Sequence, residues 1–228
     1  MAAKKRLFLL HTMPFVMDKI IGPLERDFLE EHPDVEIQTM LDTSLLADTM
    51  ADGRVSEVTG ARLLTYVQQA ERAGADMLLL TCTSMGAGLA HVGEFSDLPT
   101  LAITEPMMKQ ALDLGTRIGI IGTVATSPAQ IIEPLLVEAE RRGLGSDDLT
   151  LVVEVVEEAF QARGRGGTAA HDRLVSEAVA KMAGENEIDA ILFAQASMSG
   201  TVYEDPGVPV LTLGASTFEA AGEMLAGM

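Results

Sequence analysis

The feature that most restricts the fold of this chain is an internal repeat. Arg6-Leu-Phe-Leu-Leu-His-Thr12 aligns with Arg117-Ile-Gly-Ile-Ile-Gly-Thr123 at an offset of 111 residues. Ala75-Asp-Met-Leu-Leu-Leu-Thr-Cys-Thr-Ser-Met85 aligns with Ile188-Asp-Ala-Ile-Leu-Phe-Ala-Gln-Ala-Ser-Met198 at an offset of 113, and the prolines that introduce the following apolar runs, Pro99 and Pro209, are 110 apart. Apolar strands alone would match by chance. The polar pattern Asp-(x)5-(Cys/Gln)-x-Ser-Met would not, so the chain reads as two similar halves, 1–112 and 113–228.

Within each half, short apolar runs alternate with longer amphipathic stretches, the rhythm of βα units feeding a parallel sheet. Strands are predicted at 6–11, 35–40, 76–81, 100–103, 117–122, 149–155, 190–194 and 208–213. Helices are predicted near 18–31, 57–73, 106–114, 128–142, 169–182 and 218–225. The expected fold is α/β: two pseudo-symmetric, Rossmann-like, doubly wound parallel-sheet halves, with the last helix packing back on the N-terminal half. In such folds ligands collect at the carboxyl ends of the strands, which places the expected site in the cleft between the halves.

Charge and composition narrow the partners. With Lys+Arg 16 against Asp+Glu 34, the formal net charge is −18, which repels phosphate backbones and anionic lipid. Nucleic acid and membrane surfaces are therefore not expected partners. The apolar runs fall far short of the roughly 18 residues of a membrane span. Lys4-Lys5-Arg6 precedes only about four apolar residues with no small-residue cleavage site, so it is not a secretory signal, and a cytoplasmic location is expected. A homo-oligomer is compatible with the sequence. The single cysteine, Cys82, excludes an internal disulfide and multi-cysteine metal sites. The histidines lack metal-ligand spacing, and Gly164-Arg-Gly-Gly167 lacks the lysine and spacing of a phosphate loop. No metal and no cofactor are expected.

The residues that could do chemistry cluster where apolar strands end. Cys82 leaves a strand into Thr83 and Ser84. At a helix N-terminus a thiol loses its proton more readily, so Cys82 could act as base or nucleophile near neutral pH. Thr83 and Ser84 would add hydroxyls for a carboxylate or enolate oxygen. The bland alternative is a cysteine that is simply a small buried hydrophobe; the strand end and the mirrored segment favour chemistry. Gln195 holds the matching place in the second half, where an amide can orient or polarise but cannot carry a proton. Ala196 and Ser197 beside it could form an oxyanion pocket. His11 is the only histidine predicted at a strand's carboxyl end and is the candidate second titratable group, with Thr12 next to it. Thr123, Thr126 and Ser127 read as helix caps or carboxylate ligands. Thr43 and Ser44 follow the second strand similarly, and capping is the safer reading there.

Together, Thr81-Cys-Thr-Ser-Met-Gly86, Ile118-Gly-Ile-Ile-Gly-Thr123 and Asp189-Ala-Ile-Leu-Phe-Ala-Gln-Ala-Ser-Met198 resemble the aspartate/glutamate/hydantoin racemase superfamily over nearly the whole chain. The resemblance implies a cofactor-independent enzyme of two pseudo-symmetric α/β halves. In its racemases two cysteines face each other across the substrate's α-carbon. Cys82 would hold the first cysteine's place, with Thr83 and Ser84 as carboxylate- or enolate-binding neighbours. The second place, usually within Gly-Cys-Ala-Gly, is taken by Gln195, and Ala125 stands where decarboxylase and maleate isomerase members have tyrosine.

Two-cysteine racemisation is excluded by the cysteine count. Either His11 or an ordered water serves the opposite face, or the reaction needs one proton carrier. The expected function is a racemase- or epimerase-type isomerase acting on a small carboxylic acid or related carbonyl compound, with Cys82 as acid/base. The alternatives are a single-cysteine decarboxylase or cis-trans isomerase, and a non-catalytic binder of a small carboxylate.

Overall fold

Continuous apolar runs bounded by polar turns form strands that are covered on both faces, and these runs carry the fold. The structure is a computed structural model and describes residues 4–93 and 95–228. In chain order it comprises β1 (Lys5–His11), α1 (Pro14–Val16), a π-helical turn (Met17–Ile21), α2 (Gly22–Glu31), β2 (Val35–Leu41), α3 (Thr43–Asp52), α4 (Glu57–Arg72), β3 (Met77–Leu80), a 3₁₀ turn (Thr83–Met85), α5 (Gly86–Gly93) and β4 (Thr100–Ala102). There follow α6 (Glu105–Leu114), β5 (Arg117–Gly122), α7 (Ser127–Arg141), β6 (Thr150–Val155), α8 (Glu157–Gly164), α9 (Thr168–Glu185), β7 (Ala190–Phe193), a 3₁₀ turn (Ala196–Met198), β8 (Val210–Leu211) and α10 (Ala215–Ala226). The protein is α/β, with two four-stranded, all-parallel sheets of the same order, β2-β1-β3-β4 and β6-β5-β7-β8.

The chain divides into two compact units: residues up to Pro106 together with Thr217–Met228, and Met107–Ser216. The boundary thus falls in the first turns of α6 and α10, against an expected division after residue 112. In the first unit, alternate residues of β1 serve opposite cores, as strand geometry requires. Phe8 and Leu10 pack with Leu45, Leu63, Val67, Leu78 and Leu80. Leu7 and Leu9 pack with Phe28, Leu79, Ile103 and, from α10, Phe218 and Leu225. In the second unit, Ile118 and Ile120 join Ile131, Leu135 and, from α6, Met107 and Met108; Ile121 and Phe193 join Val175, Val179 and Met182. Both sheets are therefore doubly wound.

The N-terminal edges of the sheets are tied alike. Asp76 accepts the Arg6 N–H (2.7 Å), and at the equivalent place Asp189 accepts the N–H groups of Thr116 (3.0 Å) and Arg117 (2.9 Å). Arg117 reinforces this bond and holds the Asp189 carboxyl below the ordinary carboxylate range. The repeat seen in the sequence is thus a repeat of strand order and of the clamp beneath the strands.

Candidate active site

Parallel strands discharge their chains at one edge, and in the first unit the ends of β1, β2 and β3 lie side by side. Leu10 is in register with Leu80 and His11 with Leu41, the Thr81 N–H donates to Leu10 O (3.1 Å) and the Asp42 N–H to His11 O (3.0 Å). The pairing carries Thr12 and Cys82 out of neighbouring strands in the same direction. Cys82 keeps extended backbone (φ −116°, ψ 117°) and caps the 3₁₀ turn that leads into α5. Around its sulfur, the Thr12 side chain and the backbone of Ser84 and Met85 each pull the thiol pKa down. By themselves these neighbours favour a thiolate.

Burial opposes them and wins. Cys82 is 7% exposed and packs with Leu80, Met85 and Leu89, so desolvation pushes its thiol pKa up although Thr12, Ser84 and Met85 pull it down. The expected lowering of the thiol pKa is thereby corrected. The strand end supplies these neighbours, but the surrounding side chains remove the water a free thiolate needs.

His11 has no exposed surface. Its Nδ1 is hydrogen-bonded to the Thr81 hydroxyl (2.8 Å), and its Nε2 has no hydrogen-bond partner among the described residues. Desolvation pushes its pKa down to about 4 against the pull of Asp18, so the ring is neutral at pH 7. Thr83 and Ser84 are half-buried beside Cys82.

At the end of β2, Thr43 and Ser44 are exposed in the first turn of α3. The cap there is Asp42, which accepts the Ser44 N–H (2.9 Å) and hydroxyl (2.6 Å) and also the Tyr66 hydroxyl (2.8 Å) and Arg62 (2.6 Å). Burial alone would raise the Asp42 pKa; these donors outweigh it and bring it to about 2. Capping is what the structure shows there.

The second unit repeats the geometry with different chemistry. Gln195 follows β7 in extended conformation (φ −141°, ψ 135°) and caps the turn Ala196–Met198. Its Oε1 accepts both the N–H (2.7 Å) and the hydroxyl (2.8 Å) of Thr123. Ala196 and Ser197 are half-buried, and the Ser197 carbonyl accepts a hydrogen bond from Arg163 of α8. Sequence reasoning missed Arg163 because it missed the helix that bears it. Thr126 precedes α7 and is exposed but makes no side-chain cap bond; Ser127 instead turns its hydroxyl to Val124 O (2.8 Å).

Among the described residues, no group of three or more His, Cys, Asp or Glu side chains is placed to hold a metal ion. No helix among them is long and apolar enough to cross a membrane.

With this geometry in hand, the chain can be compared with known proteins. The family model described as Asp/Glu/Hydantoin racemase matches residues 17–221. A glutamate racemase of Microcystis aeruginosa (strain NIES-843 / IAM M-2473) is 30% identical over 130 residues, which span 55% of this chain and 44% of that protein. The match therefore covers less than half the length of that curated relative. Among solved structures, an aspartate racemase homologue from Pyrococcus horikoshii OT3 superposes with a TM-score of 0.72 at 14% identity, over 97% of this chain and 99% of the other. A glutamate racemase isoform from Bacillus anthracis gives 0.64 at 17% identity (99% and 83%). An allantoin racemase from Klebsiella pneumoniae gives 0.66 at 16% identity (98% and 88%). At these identities the structures share the fold.

Proposed function

This chain belongs to the Asp/Glu/Hydantoin racemase family, whose named relatives are isomerases, and on that premise we propose that it is a cofactor-independent racemase- or epimerase-type isomerase of a small carboxylic acid or related carbonyl compound. Cys82 is the acid/base. The observation that carries this reading is the place of Cys82 at the end of β3, in the N-cap position of the turn Thr83–Met85 and next to the strand that leads into Thr12. A buried thiol there is neutral at rest, yet Thr12, Ser84 and Met85 each favour a negative charge on sulfur. That suits a group that takes and returns a proton during the reaction. Thr83 and Ser84, half-buried on the same turn, suit an oxygen that becomes negative beside the reacting carbon.

Gln195 favours a second reading. An amide cannot accept a proton at ordinary pH, and His11 is buried and neutral. A reaction that needs one proton carrier, decarboxylation or cis-trans isomerisation, would make no demand on a second.

The test is solvent deuterium incorporation at the α-carbon of D- and L-amino acids and α-substituted carboxylic acids, with CO2 release measured in parallel. Cys82→Ala is expected to reduce incorporation at least ~10³-fold, since proton transfer and the steps that depend on it are lost together. Incorporation that survives the substitution overturns the proposal. Cys82-dependent CO2 release would move the protein to the second reading.

A further inference from the structure

Gln195 is not merely a cysteine missing. A glutamine side chain ends in an acceptor and a donor, and which one faces outward depends on what holds the other. The backbone N–H of Thr123 can only donate, and it lies 2.7 Å from Oε1. The Thr123 hydroxyl, 2.8 Å away, donates to the same oxygen. Turning the amide over would set its NH2 against the Thr123 N–H, donor against donor, and lose at least one of the two bonds. Oε1 is thus committed, and Nε2 is the remaining polar group of a half-buried side chain, with no hydrogen-bond partner among the described residues. Next to it, Arg163 spends a bond on the Ser197 carbonyl, so the acceptor of that turn is covered as well. The strand end of the second unit is left presenting a donor.

We infer that Gln195 is the ligand-binding donor of the second unit: its Nε2 hydrogen-bonds an oxygen of a small carboxylate, and Thr123 is the positioning residue that fixes this polarity. The inference deepens the proposed function and rests on it for the class of ligand. It gives the second unit a role of its own, binding and polarising an oxygen instead of exchanging a proton.

The test uses the full chain, with malonate as the carboxylate probe and malonamide as its uncharged, NH2-bearing counterpart. Binding is measured by titration calorimetry at pH 7.5 for the unaltered protein, Gln195→Leu and Gln195→Glu. Gln195→Leu keeps similar bulk without a donor and is expected to weaken malonate on the order of tenfold, as for one hydrogen bond to a charged group. In Gln195→Glu one carboxylate oxygen takes the Thr123 bonds and the other replaces the donor with an anion. Malonate is expected to weaken at least ~100-fold, and the preference for malonate over malonamide to shift toward malonamide. A merely structural glutamine would not change that ratio. Circular dichroism checks folding, and if Gln195→Glu does not fold, Gln195→Leu decides alone. Failure of malonate to bind the unaltered protein, or equal affinity in the variants, overturns the inference. Gln195-dependent malonate binding without α-deuterium exchange leaves this inference standing and removes the proposed function instead.

Discussion

The carboxyl ends of β3 and β7 have the same backbone and opposite chemistry. Cys82 and Gln195 both sit in extended conformation and precede a one-turn 3₁₀ segment, and each has as neighbour the threonine that follows the adjacent strand: Thr12 pulls the thiol pKa down, and Thr123 donates to the amide oxygen. One side chain can carry a proton and the other cannot. The neighbours differ as well. His11 ends β1 where Gly122 ends β5. Asp42 caps α3, whereas Val156 precedes α8 with no side-chain cap bond. The repeat has kept strand order and a threonine after each first strand, while the thiol and the imidazole stand in the first unit and Gln195 and Gly122 take the aligned places in the second. Duplicated topology therefore does not imply duplicated chemistry; each end must be read from its own side chains.

Substitutions exchanged between the halves sharpen this comparison. The largest effect is expected at the aligned pair Phe8 and Gly119. Phe8 fills the first unit's core, so Phe8→Gly should cost about 4 kcal/mol or more in denaturant unfolding, for the cavity and the flexible backbone together. Gly119 has its space filled by Met182, whose sulfur a Cβ there would strike. Gly119→Ala should cost a smaller ~1–2 kcal/mol, because methionine can move aside. Equal costs at the two positions would break the assignment of a core filled by Phe8 itself in one unit and by Met182 over Gly119 in the other.

The next effect is a pH dependence carried by His11 of the first unit. Burial lowers the folded pKa of His11 from 6.5 to about 4. A depressed folded pKa means stability is fully present above 6.5 and is lost as the pH falls toward 4, because the unfolded chain takes up the proton first. The expected loss is about 3 kcal/mol across that window. His11→Gln should flatten this part of the urea-unfolding profile. An unchanged profile would show that the ring is not held neutral.

The fold was legible because parallel strands buried on both faces advertise themselves as apolar runs. The range predicted for β5, 117–122, coincides with the observed strand, and the Asp76 and Asp189 clamps lie at the aligned aspartates. Helices α3, α5 and α8 lie outside the predicted ranges. The α3 segment is set by the Asp42, Arg62 and Tyr66 network across the chain, and α8 buries only the small residues Ala159 and Ala162, which leave no apolar stripe. Arg163 went unseen with α8. The thiol's direction was misjudged because local sequence shows the turn that follows Cys82 but not the Leu80, Met85 and Leu89 packing that dries it. The Thr123 bonds to Gln195 span 72 residues, a separation that local sequence patterns do not bridge.

The asymmetry of the two strand ends is tested most directly by where solvent deuterium goes. A single enantiomer of an acid that exchanges is incubated in deuterium oxide, and the recovered starting enantiomer and its mirror image are separated and analysed by mass spectrometry. With Cys82 as the lone proton carrier and Gln195 a donor only, deuterium should accumulate in the recovered starting enantiomer faster than configuration inverts. Deuterium confined to the inverted enantiomer, with the starting one unlabelled, would reveal a second proton carrier and contradict the account.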